Sequence, residues 1–447
     1  MPGTPHIREA AAGDGRGRFP LGASVTIAEL DGDPHPLLRR LREHEPVSWL
    51  PALGGWLVTR HDLALRVMRD SETFTVDDPR FSTARMVGPS MLSLDGAEHR
   101  RHRDPFSQAF RGAAANARLA AFAAAEAARL VAAMRVNGRA ELRRGLAGPL
   151  AVAVVAELLG LAETDPAVIL SWYDAIVGAV TALSAESGRG AATSAHGGPA
   201  ATAAPSGTGP PPGTRGQQAG GGQPVGGQPA DGAYRAGRAA FGELRGSIER
   251  AIGRGAAASL VATAAGSGGL TTDEVVSNAA VLMFGGIETT EGMICNAILH
   301  LLSHPGQLAE AIADQDLLAS AVEESLRLEP AAAVIDRYAT AGALVGGARI
   351  RRGDLVIVSI AAANRDPAVF AEPDRFDIRR RNARQNFGFA RGSHFCPGAE
   401  LARLETQSAI RALLGQLPDV RLDAGRPSAP RGLVFRKPPA LHVCWTP

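Results

Sequence analysis

Phe389-Ala390-Arg391-Gly392-Ser393-His394-Phe395-Cys396-Pro397-Gly398 is the stretch on which the reading of this chain turns. A cysteine stands directly before a proline, and apolar residues at helical spacing follow: Leu401, Ala402, Leu404, Ile410 and Leu413. Proline suits the first turn of a helix, where its missing N–H costs nothing. The pattern therefore sets Cys396 at a helix N-terminus, where unpaired N–H groups and the helix dipole favour an anion. A thiol so placed should ionise easily. Gly392 and Gly398 leave room for a turn and for close approach, while Arg391 and His394 bring cationic or donor groups nearby. A lone cysteine is most often a packed or reactive thiol, and its surroundings decide whether it is more.

Those surroundings favour a thiolate ligand to haem iron. Phe389, Gly392, His394, Cys396 and Gly398 resemble the haem-binding loop of the cytochrome P450 family, the haem-thiolate monooxygenases, and the likeness runs on into Leu401-Ala402-Arg403. Ala390 departs from it, where the family usually has Gly. Ala is the smallest change available, so a slightly tighter turn is expected, with the ligand kept. The resemblance implies haem b with Cys396 as its axial ligand and sole metal-binding residue. It also implies a mainly α fold with a small β region and a long central helix over the haem.

Composition agrees with such a fold. With 447 residues, 45% of them hydrophobic, the chain can bury a large core, and length alone allows about three domains. Forty-seven basic and 45 acidic residues leave a net charge of +2, too balanced to suggest bulk nucleic-acid binding. Lys437 is the only lysine, which with the Ala and Gly richness reads as codon bias. Residues 1–19 carry no apolar h-region. The longest apolar run, 150–162, is interrupted by Glu157 and too short for a bilayer. Three cysteines (Cys295, Cys396 and Cys444) make no disulfide framework and suit a reducing cytosol. The expectation is a cytoplasmic monomer with neither nucleic-acid nor membrane partners.

Residues 1–25 are Gly/Pro/Ala-rich and expected to be poorly ordered. Helical spacing recurs over 33–45, 62–70, 114–136, 144–161, 165–186, 233–254 and 317–328. The 165–186 segment offers Trp172, Tyr173 and Ile176 to a pocket. Val47 to Leu50 and Gly55 to Thr59 read as a hairpin, and 77–89 as a polar loop. Strands are expected over 334–340, 348–351, 355–359, 433–435 and 441–443. Over 187–232 Val225 is the only large apolar residue, so this insertion should be disordered. The rest, 26–447, is expected to form a single domain.

Four further motifs carry chemistry. His99 and Arg103, four apart, share a face of the helix that opens near Leu94, and two such donors suit an anion. The resemblance makes that anion a haem propionate and adds Arg337 as a second contact. Arg100 and Arg101 point elsewhere and, with Arg391, are free to meet a redox partner. Thr271-Thr272-Asp273-Glu274 is a capping box opening a helix that runs to about Ser303. Gly285 and Gly286 in its middle cost about 1 kcal/mol each relative to Ala, which close approach of a flat ligand would offset. Beside them Glu288-Thr289 resembles the family's acid–alcohol pair, which supplies protons to oxygen; otherwise Thr289 would only bond back to its own helix. Glu324 and Arg327 share a face, and the resemblance makes them, with Arg375, a structural clamp behind the haem.

The activity implied is insertion of one oxygen atom from O2 into a hydrophobic small molecule, by hydroxylation or epoxidation, in secondary metabolism. Val87, Phe284, Ile287, Ala332, Val334 and Val434 are expected to line the substrate pocket. No flavin or iron–sulfur segment is visible, so electrons should come from NAD(P)H through a separate ferredoxin and ferredoxin reductase. The alternatives are a non-oxygenase or peroxide-driven reaction on the same fold, and a haem-bearing binding protein without turnover. The Glu288–Thr289 pair argues against all three.

Overall fold

The computed structural model describes residues 18–111, 113–186, 229–255 and 259–447. Its axis is the helix Thr272–Ser303, 32 residues long, or about 48 Å at 1.5 Å per residue. The capping box forms as read: the Thr271 hydroxyl accepts from the Glu274 N–H at 3.3 Å, and Glu274 accepts from the Thr271 N–H at 2.8 Å. His304, ahead of Pro305, ends the helix. Most positions from Val275 to Leu302 are buried, because other helices pack around it: Gly148–Leu159, Pro229–Gly253, Gln315–Leu328 and Ala399–Gln416. Ala113–Met134 packs outside Ala399–Gln416, and Pro166–Glu186 pairs with Pro229–Gly253.

To one side lies a five-stranded sheet in the order Val47–Leu50, Gly55–Val58, Leu355–Ser359, Val334–Ala339, Phe74–Thr75. Only Gly55–Val58 against Leu355–Ser359 is parallel, in the register Trp56 opposite Val356. Val334 faces Ser359 and Arg337 faces Val356 across an antiparallel pair. That register sets residues of the 332–337 segment along the wall of the main cavity. A second sheet joins Arg139–Glu141, His442–Cys444 and Arg421–Leu422.

Four expectations need correction. Pro20–Ser24 is an ordered helix: the Leu21 and Gly22 N–H groups donate to Glu45 at 2.9 Å, and a Cβ on Gly22 would stand 2.7 Å from the Trp49 carbonyl. Of the 1–25 segment, only 1–17 lies outside the described residues. The 77–89 loop contains the helix Ser82–Val87, which docks on Pro166–Glu186. The 187–232 insertion falls outside the described residues except for its end, since a helix starts at Pro229. Around 433–435 only an isolated bridge forms, Phe435 with Ala332. Among the described residues one helical stretch, Pro166–Ser184, is long and apolar enough to cross a membrane, and 44% of its most apolar window is buried inside the protein.

Candidate functional site

Between the middle of the long helix and the loop preceding Ala399–Gln416 lies a cavity of about 430 Å³. Cys396 lies in its wall, two residues before the helix N-cap Gly398. The Cys396 N–H donates to the Phe389 carbonyl at 3.0 Å, closing the loop. Burial pushes the thiol up, against the Gly398 N–H, Arg103 and Arg403, which pull it down. The easy ionisation expected from the helix terminus is thus outweighed by desolvation, and a cation at the sulfur would restore it. Gly392 has φ +80°, and a Cβ there would stand 2.5 Å from the Met68 carbonyl, so it shapes the loop from outside the wall. Ala390 takes φ +56°.

One end of the cavity is polar. Arg103, Arg337 and His394 reach its wall. His394 Nε2 lies 2.9 Å from Asp95 Oδ1, and Asp95 Oδ2 accepts from Thr75 Oγ1 at 2.7 Å and from the Val76 N–H at 2.9 Å. The His99 ring lies behind, 4.3 Å from that of His394. Burial, then His394 and Arg103, push the His99 imidazole down to about 4. Arg103 donates to the Phe395 carbonyl, and Arg337 Nη1 to the Asp336 carbonyl at 2.8 Å. His99 Nε2 and Arg337 Nη2 are buried without a hydrogen-bond partner, a costly state that a bound anion would relieve.

A haem fits this arrangement. Among the described residues no three His, Cys, Asp or Glu side chains gather to hold a bare metal ion. One soft thiol stands in an apolar cavity, and at its polar end Arg337 Nη2, with His99 Nε2 behind, lacks the partner that a carboxylate would supply.

The opposite wall is the long helix, which presents Gly285, Gly286, Thr289 and Met293. A Cβ on Gly285 would meet nothing within 4 Å, whereas one on Gly286 would stand 2.7 Å from Val155 Cγ2. The first glycine opens the cavity and the second seats a neighbouring helix. Thr289 Oγ1 donates to the Gly285 carbonyl at 2.5 Å. Glu288 is buried off the wall: it accepts from the Tyr173 hydroxyl, and its Oε1 lies 2.8 Å from Lys437 Nζ. The acid and the alcohol are neighbours in sequence, but here each is bound elsewhere.

Phe284, Ala332, Val334 and Val434 line the cavity, as does Phe389 of the cysteine loop. Val87 does not. It borders a separate apolar pocket of about 10 Å³ behind Phe284, with Ile176. Ile287 is 1% exposed in the core, because two residues along a helix is about 200° of rotation from the face of Gly285. Trp172 also faces elsewhere, donating to Glu243 at 2.8 Å.

The clamp is corrected in one member. Arg327 meets Glu324 with two hydrogen bonds, but Arg375 turns to solvent beside Glu372. Arg380 takes its place, with Nε 3.0 Å from Glu324 Oε1. The Arg375 carbonyl, not its side chain, joins the cluster by accepting from Arg327 and Arg380. Arg101 is held by Glu98 and Glu274, and Arg391 by the carbonyls of Arg384 and Asn386; Arg100 stays exposed. Sequence reasoning missed Asp95, Arg380 and Lys437, whose partners lie far along the chain.

The family model for cytochrome P450 matches residues 249–439. The chain is 32% identical over 430 residues to the cytochrome P450 monooxygenase PikC of Streptomyces venezuelae, which spans 92% of this chain and 89% of that protein. It is 30% identical over 393 residues to the cyclomarin C epoxidase CymV of Salinispora arenicola, spanning 87% and 90%. Among solved structures, CalO2 superposes with a TM-score of 0.77 at 29% identity, covering 94% of this chain and 98% of that one. P450BioI, in complex with an acyl carrier protein ligated to hexadec-9Z-enoic acid, shares the fold with a TM-score of 0.76 at 24% identity, covering 94% and 100%. With a cavity of this chemistry and relatives matched over nearly its whole length, the chain belongs to the cytochrome P450 family and is a monooxygenase.

Proposed function

We propose that this chain inserts one oxygen atom from O2 into a hydrophobic small molecule, by hydroxylation or epoxidation, in secondary-metabolite biosynthesis. The observation that carries this is one apolar cavity lined by Cys396 together with Gly285 and Thr289. Residues 26–447 act as one catalytic unit. Cys396 would hold the haem iron; His99, Arg103, Arg337 and His394 would take the propionates; Phe389, Gly398, Gly285 and Gly286 would border the ring. Bound there, thiolate-ligated haem supplies activation of O2 with electrons from outside. The protein's own residues do the rest. The apolar wall of Phe284, Val334 and Val434 excludes water and holds the substrate. The Thr289 hydroxyl holds a proton beside the reacting centre, and Glu288 replenishes it once it turns from Tyr173 and Lys437. Electrons would come from NAD(P)H through a ferredoxin reductase and a ferredoxin, docking near Arg100.

The test has two arms. Reduced protein under carbon monoxide should show the red-shifted band of a thiolate-bound haem, and Cys396→Ser should abolish it; a band that survives refutes the ligand. Thr289→Ala and Glu288→Gln should keep probe binding but divert reducing equivalents to hydrogen peroxide. Unchanged coupling in both variants removes the proton role.

A further inference from the structure

Lys437 is the only lysine among 447 residues, and it is 8% exposed. Its Nζ lies 2.8 Å from Glu288 Oε1 and 3.0 Å from Glu291 Oε1. These two carboxylates are three residues apart on the long helix and so share a face. Arg143 binds the outer carboxylate, Glu291, through Nε, and the Tyr173 hydroxyl donates to the inner one, Glu288. The cluster thus holds two carboxylates against two cations, and its formal charge is zero. Around Glu288 lie Glu291 on its own helix, Tyr173 on Pro166–Glu186, Arg143 at the entry to Gly148–Leu159, and Lys437 on the C-terminal segment; further out, Asp174 acts on Tyr173 and Glu141 on Cys295. Cys295, one turn beyond Glu291, stays a neutral thiol, pushed up by burial. Arg436 faces away, onto Glu329 at 2.6 Å.

We infer that Lys437 is a positioning residue for oxygen activation: its ammonium keeps Glu288 ionised, next to Glu291 and off the cavity wall until the carboxylate turns toward Thr289. The inference rests on the proposed role of Glu288. Its physical basis is charge balance. A buried ion pair that loses one partner leaves an uncompensated charge, and two neighbouring carboxylates lacking their cation share a proton. Without Lys437, two carboxylates would face one cation, Arg143, so a proton on the pair would be favoured and Glu288 would keep only the Tyr173 hydroxyl to hold it off the cavity wall.

The experiment uses the holoenzyme. With lysine labelled at Nζ by nitrogen-15, the diamagnetic carbon-monoxide form should give a single side-chain signal, slow to exchange with water. Glu288→Gln should shift it, and Lys437→Met should delete it. In parallel, hydrogen peroxide released per NADPH is followed against pH, with 7-ethoxycoumarin as probe. Lys437→Met should move the acid limb of coupling upward by about 1–3 pH units, and Lys437→Arg should return most of the wild-type profile. A lysine signal in fast exchange and unmoved by Glu288→Gln overturns the inference. So does a Lys437→Met profile identical to wild type while Glu288→Gln uncouples. If Glu288→Gln itself leaves coupling unchanged, the role of Glu288 fails instead, and the lysine signal still reports whether the clasp exists.

Discussion

Arg327 and Glu324 meet through two hydrogen bonds of 2.7 and 2.8 Å, one turn apart on Gln315–Leu328, and neither side chain touches solvent. Glu324 also receives the Arg380 guanidinium and the Asp377 N–H, both at 3.0 Å. Arg327 Nη1 reaches the carbonyls of Asn364 and Pro373 at 3.0 and 2.7 Å. The pair therefore ties a helix to the irregular 364–380 segment that leads into the cysteine loop.

Removing one partner of such a pair strands the other charge in the core. Arg327→Ala should cost about 3–5 kcal/mol, read from denaturant midpoints, with loss of bound haem. Arg380→Ala should cost about 1–3 kcal/mol, the price of a hydrogen bond left open on a buried carboxylate. Arg375→Ala should stay within about 0.5 kcal/mol, since its side chain is 62% exposed. Equal losses in the last two variants would overturn the assignment of Arg380.

Ala390 sits at φ +56° in the turn whose N–H donates to the Phe387 carbonyl at 2.8 Å. For a residue with a Cβ that conformation costs roughly 1–2 kcal/mol, while Gly adopts it freely but loses more entropy on folding. Ala390→Gly should therefore stabilise the protein by about 0.5–1 kcal/mol without altering the carbon-monoxide band. A variant less stable than wild type would show that the methyl group's contacts outweigh the backbone strain.

His300 predicts a pH dependence. Its Nδ1 lies 2.9 Å from Ser325 Oγ, and burial holds the imidazole down to about 4. An unfolded histidine takes its proton near 6.5. As pH falls from 6.5 toward 4, the unfolded chain binds a proton that the folded chain refuses, so stability falls across that window. Urea midpoints at pH 7, 5.5 and 4.5 should decline less steeply for His300→Gln than for wild type. The buried His99 titrates in the same sense but is common to both proteins, so the difference isolates His300. Parallel curves would mean that the fold takes up a proton at His300 as readily as the unfolded chain does.

What the sequence made legible is what depends on near neighbours. The capping box at Thr271 and Glu274, the helix over 272–303 and the His99–Arg103 face all follow from spacings of three or four residues. Choosing Arg380 over Arg375 depends on how an irregular segment folds back, and both arginines stand within six residues of each other in an arginine-rich run. Lys437 meets Glu288 from 149 positions away, a distance over which no periodicity reports. Ser82–Val87 was hidden because its helix is one and a half turns long and gains its stability from docking, not propensity. Val87 and Ile287 were misassigned because an apolar residue on a helix near a cavity can face the core as well as the cavity.

Phe284 carries the last prediction. Its ring lines both the 430 Å³ cavity and the 10 Å³ pocket bordered by Val87, Ile176 and Ala280, as do Thr83, Val180 and Val281. It is braced by Phe435 edge-on at 5.4 Å and by Tyr173 stacked at 6.4 Å. Phe284→Ala should join the two spaces, so small ligands lose contacts and long ones gain room. Imidazole, 4-phenylimidazole and clotrimazole, compared by the spectral shift each causes on binding, measure this directly. The clotrimazole-to-imidazole affinity ratio should rise about tenfold, a difference of roughly 1.4 kcal/mol. Because Phe284 braces Tyr173, peroxide release should also rise in this variant. An unchanged ratio would mean that the neighbouring side chains collapse into the space and that Phe284 sets no size limit on the substrate.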